Sequence, residues 1–331
     1  MRLVHALLAL LTCVTPALAG SGDFMANRFY EKAIESWDDD PPKALDYLDK
    51  ALGVLEVSDG LRDGILLAKG RLLVAKLGDP AAAEPVFDEI IGSVPTKRHK
   101  SRWDGLRRAI AKASTDEQYK EQLPRLEAEF TDLGQQLDFK AQAMVAKANL
   151  CYAERGEVER ALKIYLGANY TWESAMTCDV ASQFCYRVSR EADREADLRR
   201  RMLARAEEFA LEALRLAPTQ IQDPAERLGL IARYLLQLAI VYRARNNLYT
   251  SELVYQAIDP QLLGVETLYQ QSVFAAVRGQ DERARELMRK FFDDTRPTKQ
   301  ARNDLRKFVR TEPDLQRLVE QESWRYLTED E

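Results

Sequence analysis

Nucleophilic, acid–base and metal chemistry draw first on His and Cys, and this chain of 331 residues holds two His and four Cys. His5 and Cys13 fall in an apolar leader, which leaves His99 alone in the remainder. That argues against a Ser-His-Asp triad, a His-rich metal site or a His proton relay. The other thiols are Cys151, Cys178 and Cys185, and an odd number allows one bridge and one free thiol. If Cys178 and Cys185 share a helix, seven residues at about 1.5 Å each hold them about 10.5 Å apart, beyond the roughly 7 Å a bridge spans. Three small buried hydrophobes are the plainer reading of these thiols; if a bridge forms, Cys151 with Cys185 is the better pair, since both would sit near the middle of neighbouring first helices of successive repeat units. Carboxylates do not gather at metal-ligand spacing, and no Gly-rich phosphate loop, G-x-S-x-G or paired-Cys motif occurs. No catalytic residue, cofactor or metal is expected.

Lys97-Arg98-His99-Lys100-Ser101-Arg102-Trp103, continuing through Arg107, Arg108 and Lys112, sets seven cations against Asp104 alone. Trp103, Leu106 and Ile110 share one face at helical spacing. Such a basic amphipathic helix either lies on an anionic surface or packs its apolar face while its cations meet acidic neighbours. The whole chain carries 48 basic against 53 acidic residues, a net charge of −5. That mild acidity does not fit broad nucleic-acid binding.

The elements that must carry these residues are helices. Hydrophobic residues make up 46% and charged residues 31%, with only 15 Gly and 12 Pro, too apolar for disorder and too poor in turn residues for a sandwich or barrel. At the start, Arg2 precedes the uncharged stretch Leu3–Ala19, which closes on Ala17-Leu18-Ala19. A positive start, an apolar run and a small-x-small site predict a signal peptide over residues 1–19 and an exported protein, periplasmic or secreted if the host is bacterial. Leu10–Cys13 weakly resembles a lipobox, with Thr12 before the Cys counting against it.

Turn residues recur with a fixed ruler. Five, nine and twelve residues after Gly78 stand Ala83, Phe87 and Ile90, with Pro95 at seventeen. After Gly156 the same ruler meets Ala161, Tyr165 and Ala168; after Gly279, Ala284, Met288 and Phe291; after Asn246, Ser251, Tyr255 and Ile258. Ala206, Ala210, Ala213 and Pro218 match its later half, and Ala44, Leu48 and Ala51 match more weakly. A small residue five after the turn lets the second helix approach the first, and the larger ones fill the groove to the next pair. This pattern resembles the tetratricopeptide repeat. The resemblance runs over about residues 26–295 and is clearest at 61–95, 142–174 and 265–293. It implies an all-α, right-handed superhelical solenoid of antiparallel helix pairs over residues 20–310, closed by a terminal capping segment over 311–331. The period departs from the family between Gly156 and Asn246, where longer helices are expected. Arg190-Glu191-Ala192-Asp193 and its repeat, Arg194 to Asp197, read as such a helical extension.

Inner helices of such arrays line a groove that holds a partner. Mapped on the family pattern, Glu154, Arg233, Arg243, Asn247 and Tyr269 lie near it, among Ala68, Leu72, Ala146, Leu150, Leu236, Ile240 and Val273, a lining suited to an apolar or amphipathic peptide. Filling of the groove by the chain's own helices is the alternative. The expected function is a non-enzymatic exported scaffold for a protein or peptide partner. The competing expectation is an envelope-surface binder in which helix 97–112, through Arg102, Trp103, Arg107, Arg108 and Lys112, holds anionic lipid or cell-wall polymer.

Overall fold

The structure is a computed structural model; it describes residues 21–331 apart from 55, 56, 94, 222, 265, 296–302, 304, 308, 311, 322, 323 and 325–331. The expected signal peptide therefore lies outside the described residues, as does much of the expected capping segment. Among the described residues the chain is helical, without strands, and neighbouring helices pack in pairs. It divides into two compact units that meet in sequence between Ala181 and Ser182.

In the first unit α1 (Ser21–Ser36) packs on α2 (Pro41–Leu52), and α3 (Asp59–Ala75) on α4 (Pro80–Ser93). Next, α5 (Thr96–Thr115) lies on the long α6 (Leu123–Arg155), which also packs on α3, α4 and α7 (Val158–Thr171). The unit boundary falls inside α8 (Ala175–Arg190). The second unit continues with α9 (Ala196–Gln220), packed on α10 (Pro224–Ala244), and α10 packs in turn on α11 (Leu248–Gln256). After the short α12 (Pro260–Leu263) come the pair α13 (Glu266–Val277) and α14 (Asp281–Thr295), and the turn-like α15 (Gln316–Val319).

The starts and turns have local causes. Four helices open on Asp-Pro: Asp40-Pro41, Asp79-Pro80, Asp223-Pro224 and Asp259-Pro260. Proline sits where a helix has no use for its N–H, and the preceding Asp accepts from a free backbone donor, from Ala82 N at 2.9 Å and from Glu226 N at 2.8 Å. Gly78, Gly156 and Gly279 have φ of +63°, +65° and +74°, and Asn246, at +61°, is the sole non-Gly residue with positive φ among the described residues. Glycine has no Cβ to clash there, and Asn is the next most tolerant residue. The following N–H reaches back across each turn, Asn247 to Tyr242 O and Gln280 to Ala275 O at 2.9 Å each.

Five residues past the four turns, Ala83, Ala161, Ser251 and Ala284 are all fully buried, and Phe87, Tyr165 and Met288 close the pairs four residues further on. Ala44, Leu48, Ala51, Ala206, Ala210 and Ala213 are buried as well. The segment Glu191–Glu195 differs from expectation. It is a turn between α8 and α9, with the Arg194 guanidinium folded back on Glu191 at 2.6 Å. Glu195 and Asp197 then stand at the start of α9, where the free N–H groups favour negative charge over continued helix. Pro218 does not end α9, which runs to Gln220.

Among the described glycines, Gly70 on α3 leaves the least room for a side chain. A Cβ there would lie 2.4 Å from Cε1 of the buried Phe87 ring, whereas a Cβ on Gly167 would meet only the terminal methyl of Met144 at 2.8 Å. Replacing a helical glycine by alanine otherwise gains up to about 1 kcal/mol. Gly70→Ala is therefore expected to lower stability by about 1–3 kcal/mol through overpacking, and Gly167→Ala to leave it unchanged or higher, both read from denaturation midpoints.

Candidate functional site

The second unit gathers its polar side chains around Arg243, whose side chain is 2% exposed near the end of α10. Its Nε donates to Asp314 Oδ2 at 2.7 Å, Nη1 to Gln270 Oε1 at 3.2 Å, and Nη2 lies 3.8 Å from Glu312 Oε1. The guanidinium also stands 5.3 Å from the centre of the Phe274 ring. Tyr269 donates its phenol to Glu312 Oε2 at 2.9 Å, and Arg190 of α8 approaches Asp314 at 3.7 Å. Burial, then the neighbouring Glu312 carboxylate, holds the Tyr269 phenol far above its usual range, so it stays a donor at every physiological pH. Beside this cluster Leu315, Leu318 and Trp324 are buried with Tyr269, Val273 and Phe291.

Two of the five mapped partner residues are thus internal: Arg243 and Tyr269 are engaged by the chain's own residues 312–314. The physical reason is charge, since two carboxylates from the C-terminal segment meet the cation and the phenol there. Asn247 is exposed, but its side chain caps α11 by accepting from Thr250 N at 3.3 Å. Arg233 is half-buried and acts on the Glu266 carboxylate, which burial pushes upward. Glu154, in the first unit, is exposed. Of the mapped apolar positions, Ala68, Leu72, Leu150, Leu236 and Val273 are buried and Ala146 and Ile240 half-buried. They are core rather than the lining of an open apolar groove.

Sequence reasoning missed a second polar cluster, in the first unit, that joins α1, α3 and α6. Arg71 donates to Gln142 Oε1 at 2.7 Å, and Gln142 donates to Asp138 Oδ2 at 2.6 Å. Burial lowers the Arg71 pKa and pushes the Asp138 carboxyl up to about 6. The Tyr30 hydroxyl, buried and raised to about 12, has no hydrogen-bond partner among the described residues. Spacing shows only the Asp138–Gln142 pair at i,i+4 on α6, because Arg71 and Tyr30 come from two other helices.

The basic segment is helical, as its periodicity predicts. Trp103 stacks on Phe130 with ring centres 4.7 Å apart and meets Trp172 edge-on at 5.3 Å. Leu106 and Ala113 are buried, and Arg102 pairs with Glu129. Trp103 is therefore committed inside the unit and Arg102, though exposed, is paired at its surface, while Arg107, Arg108 and Lys112 are exposed.

Cys151, Cys178 and Cys185 are buried free thiols, so the Cys151–Cys185 bridge is not formed. Burial pushes Cys185 up to about 12, which keeps it a thiol. Among the described residues no three His, Cys, Asp or Glu side chains are placed to hold a metal ion.

Arg243→Met should cost about 3 kcal/mol in urea unfolding, because Glu312 would lose its cation and Asp314 would keep only the more distant Arg190. Adding Glu312→Gln and Asp314→Asn should recover part of that loss, the signature of a coupled cluster. Asp63 on α3 makes a separate prediction. It is 3% exposed, Oδ1 accepts from Ser93 at 3.4 Å, Oδ2 has no partner among the described residues, and burial raises its pKa to about 7. The folded chain then holds a proton between about pH 4 and 7 that the unfolded chain releases, so this residue makes stability fall as pH rises through that window. Asp63→Asn should flatten that fall and raise stability at pH 8, measured by unfolding across the range. No family model matches the chain, and no curated protein matches it.

Proposed function

We propose that the chain is a non-enzymatic scaffold, exported by the leader of residues 1–19, that binds a protein or peptide partner through a right-handed superhelical solenoid of tetratricopeptide-like pairs. The observation that carries this reading is the repeated unit. At Gly78, Gly156, Asn246 and Gly279 a left-handed residue is followed five positions on by a fully buried small residue. Stacked pairs of this kind leave one face of each inner helix for a partner and supply no chemistry of their own.

Within the second unit the Glu312–Asp314 segment occupies the inner residues Arg243 and Tyr269, which withdraws them from a partner. Two mapped positions remain, each a separate candidate for partner contact within its own unit: Glu154, exposed in the first, and Arg233, half-buried in the second. An affinity pull-down from the exported fraction should capture a saturable partner. Glu154→Arg or Arg233→Glu should weaken capture at least ten-fold, about 1.4 kcal/mol, while Arg283→Ala, in an exposed pair with Glu286, should not. Substrate turnover that survived purification would overturn the non-enzymatic reading.

A further inference from the structure

The cations of α5 are arranged on the side that packing leaves over. At 100° per residue, Trp103, Leu106, Ile110 and Ala113 form one face, and Leu106 and Ala113 are buried there. Opposite them Lys97, Arg108 and Lys112 run down the exposed side, flanked by Arg98 and Arg107, all five exposed. The row extends about 22 Å, fifteen residues at about 1.5 Å each. None of the five meets a carboxylate in an ion pair among the described residues. Arg108 donates only to the Asp104 backbone at 3.3 Å, Arg107 lies 6.0 Å from the Trp103 ring centre, and Lys112 lies 4.1 Å from that of Tyr119. In a chain with more acidic than basic residues, an unpaired row of this length is a concentrated local field.

At Lys100, in the first turns of α5, the same helix meets an exposed tyrosine of α7. Lys100 donates to the Tyr170 backbone carbonyl, and its ammonium stands 4.6 Å from the centre of the Tyr170 ring. Tyr170 is 61% exposed, and Leu166, one helical turn earlier on α7, is 41% exposed. Cations beside an exposed tyrosine and leucine suit a lipid surface, where phosphates meet the charges and the amphipathic ring rests at headgroup depth. A soluble polyanion would use the charges and ignore the leucine. Insertion of α5 itself is ruled out because its apolar face is already spent on Phe130 and Trp172.

We infer that the face formed by α5 and the outer side of α7 docks peripherally on an anionic phospholipid surface, with Lys97, Arg107, Arg108 and Lys112 on the headgroup phosphates and Tyr170 and Leu166 in shallow contact with the lipid. The docking is independent of the partner-binding face proposed above.

Co-sedimentation of the full chain with vesicles of equal parts phosphatidylglycerol and phosphatidylcholine, against phosphatidylcholine alone, tests it; any contribution of the leader is common to parent and variants, so the variants report this face. Binding specific to the anionic vesicles is expected, weakening as salt rises. Arg107→Ala, Arg108→Ala and Lys112→Ala together should lower that partitioning about a hundred-fold, with unchanged circular dichroism because all three are exposed. Leu166→Ala with Tyr170→Ala should lower it several-fold. Equal binding to both vesicle types, or a triple variant that binds as well as the parent, overturns the proposal. So does anionic binding indifferent to Leu166 and Tyr170 and matched by soluble polyphosphate, which would make the row a polyanion site.

Discussion

Two helices joined by a short turn can lie close along their length only if the backbone reverses at once and the first crossing point holds almost no side chain. The left-handed residues meet the first condition and the small residues five positions on meet the second. The approach in the second unit is close enough for hydroxyl groups to bridge it. Ser182 donates to Ala206 O at 2.7 Å, Ser251 to Ala239 O at 2.5 Å and Ser272 to Ala284 O at 2.6 Å, with all three serines buried. Each bond satisfies a buried hydroxyl against backbone of the paired helix, which a longer side chain would hold at a distance. The α3–α4 pair reaches similar closeness with Gly70 under Phe87. Which side chains face inward, and which are left over on the outer side, follows from where these crossings fall.

The C-terminal segment is held by a different balance. Leu315, Leu318 and Trp324 bury apolar surface against α13 and α14, and that burial favours docking whatever the exact register. A buried ion cluster adds little net stability, since desolvation offsets most of the attraction, but it penalises every arrangement that leaves one charge alone. Arg243, held by Asp314, Gln270 and Glu312, therefore acts as a register pin, and Arg317 on Asp281 at 2.7 Å adds a second tie at the surface. Apolar area attaches the segment and the charges select its position.

The turns were readable in the sequence because positive φ admits few residue types, so Gly78, Gly156, Gly279 and Asn246 announce themselves by identity and spacing. Burial five residues beyond all four, and nine beyond the three glycines, was readable from the spacing, whereas Tyr255, nine beyond Asn246, is half-buried. The break at Glu191–Glu195 was not: its residues are good helix formers, and an acidic start to α9 and a folded-back Arg194 decide the matter locally. The fate of Arg243 and Tyr269 was also hidden, because their partners lie 71 and 43 residues away in sequence and periodicity carries no long-range pairing. Spacing identified Leu72, Leu150 and Leu236 as inward positions, yet it cannot separate a helix face against the neighbouring pair from one left open to a partner. Only the packing of the next helix makes that distinction.

The same limit explains why a basic amphipathic helix has two readings on paper. Its hydrophobic stripe is the same whether it is destined for lipid or for protein, and what decides is whether another element offers aromatic surface first. Here α6 brings Phe130 and the end of α7 brings Trp172 to the Trp103 ring, so the stripe is consumed inside the unit and the cations are turned outward together. Once fixed on a rigid helix they cost no further backbone ordering when an anion arrives, unlike cations on a flexible tail. The overall negative charge does not cancel them, because at physiological salt a charge is felt over only about 8 Å and the row is longer than that. The packing of one tryptophan thus converts an ambiguous sequence pattern into a preorganised cationic surface.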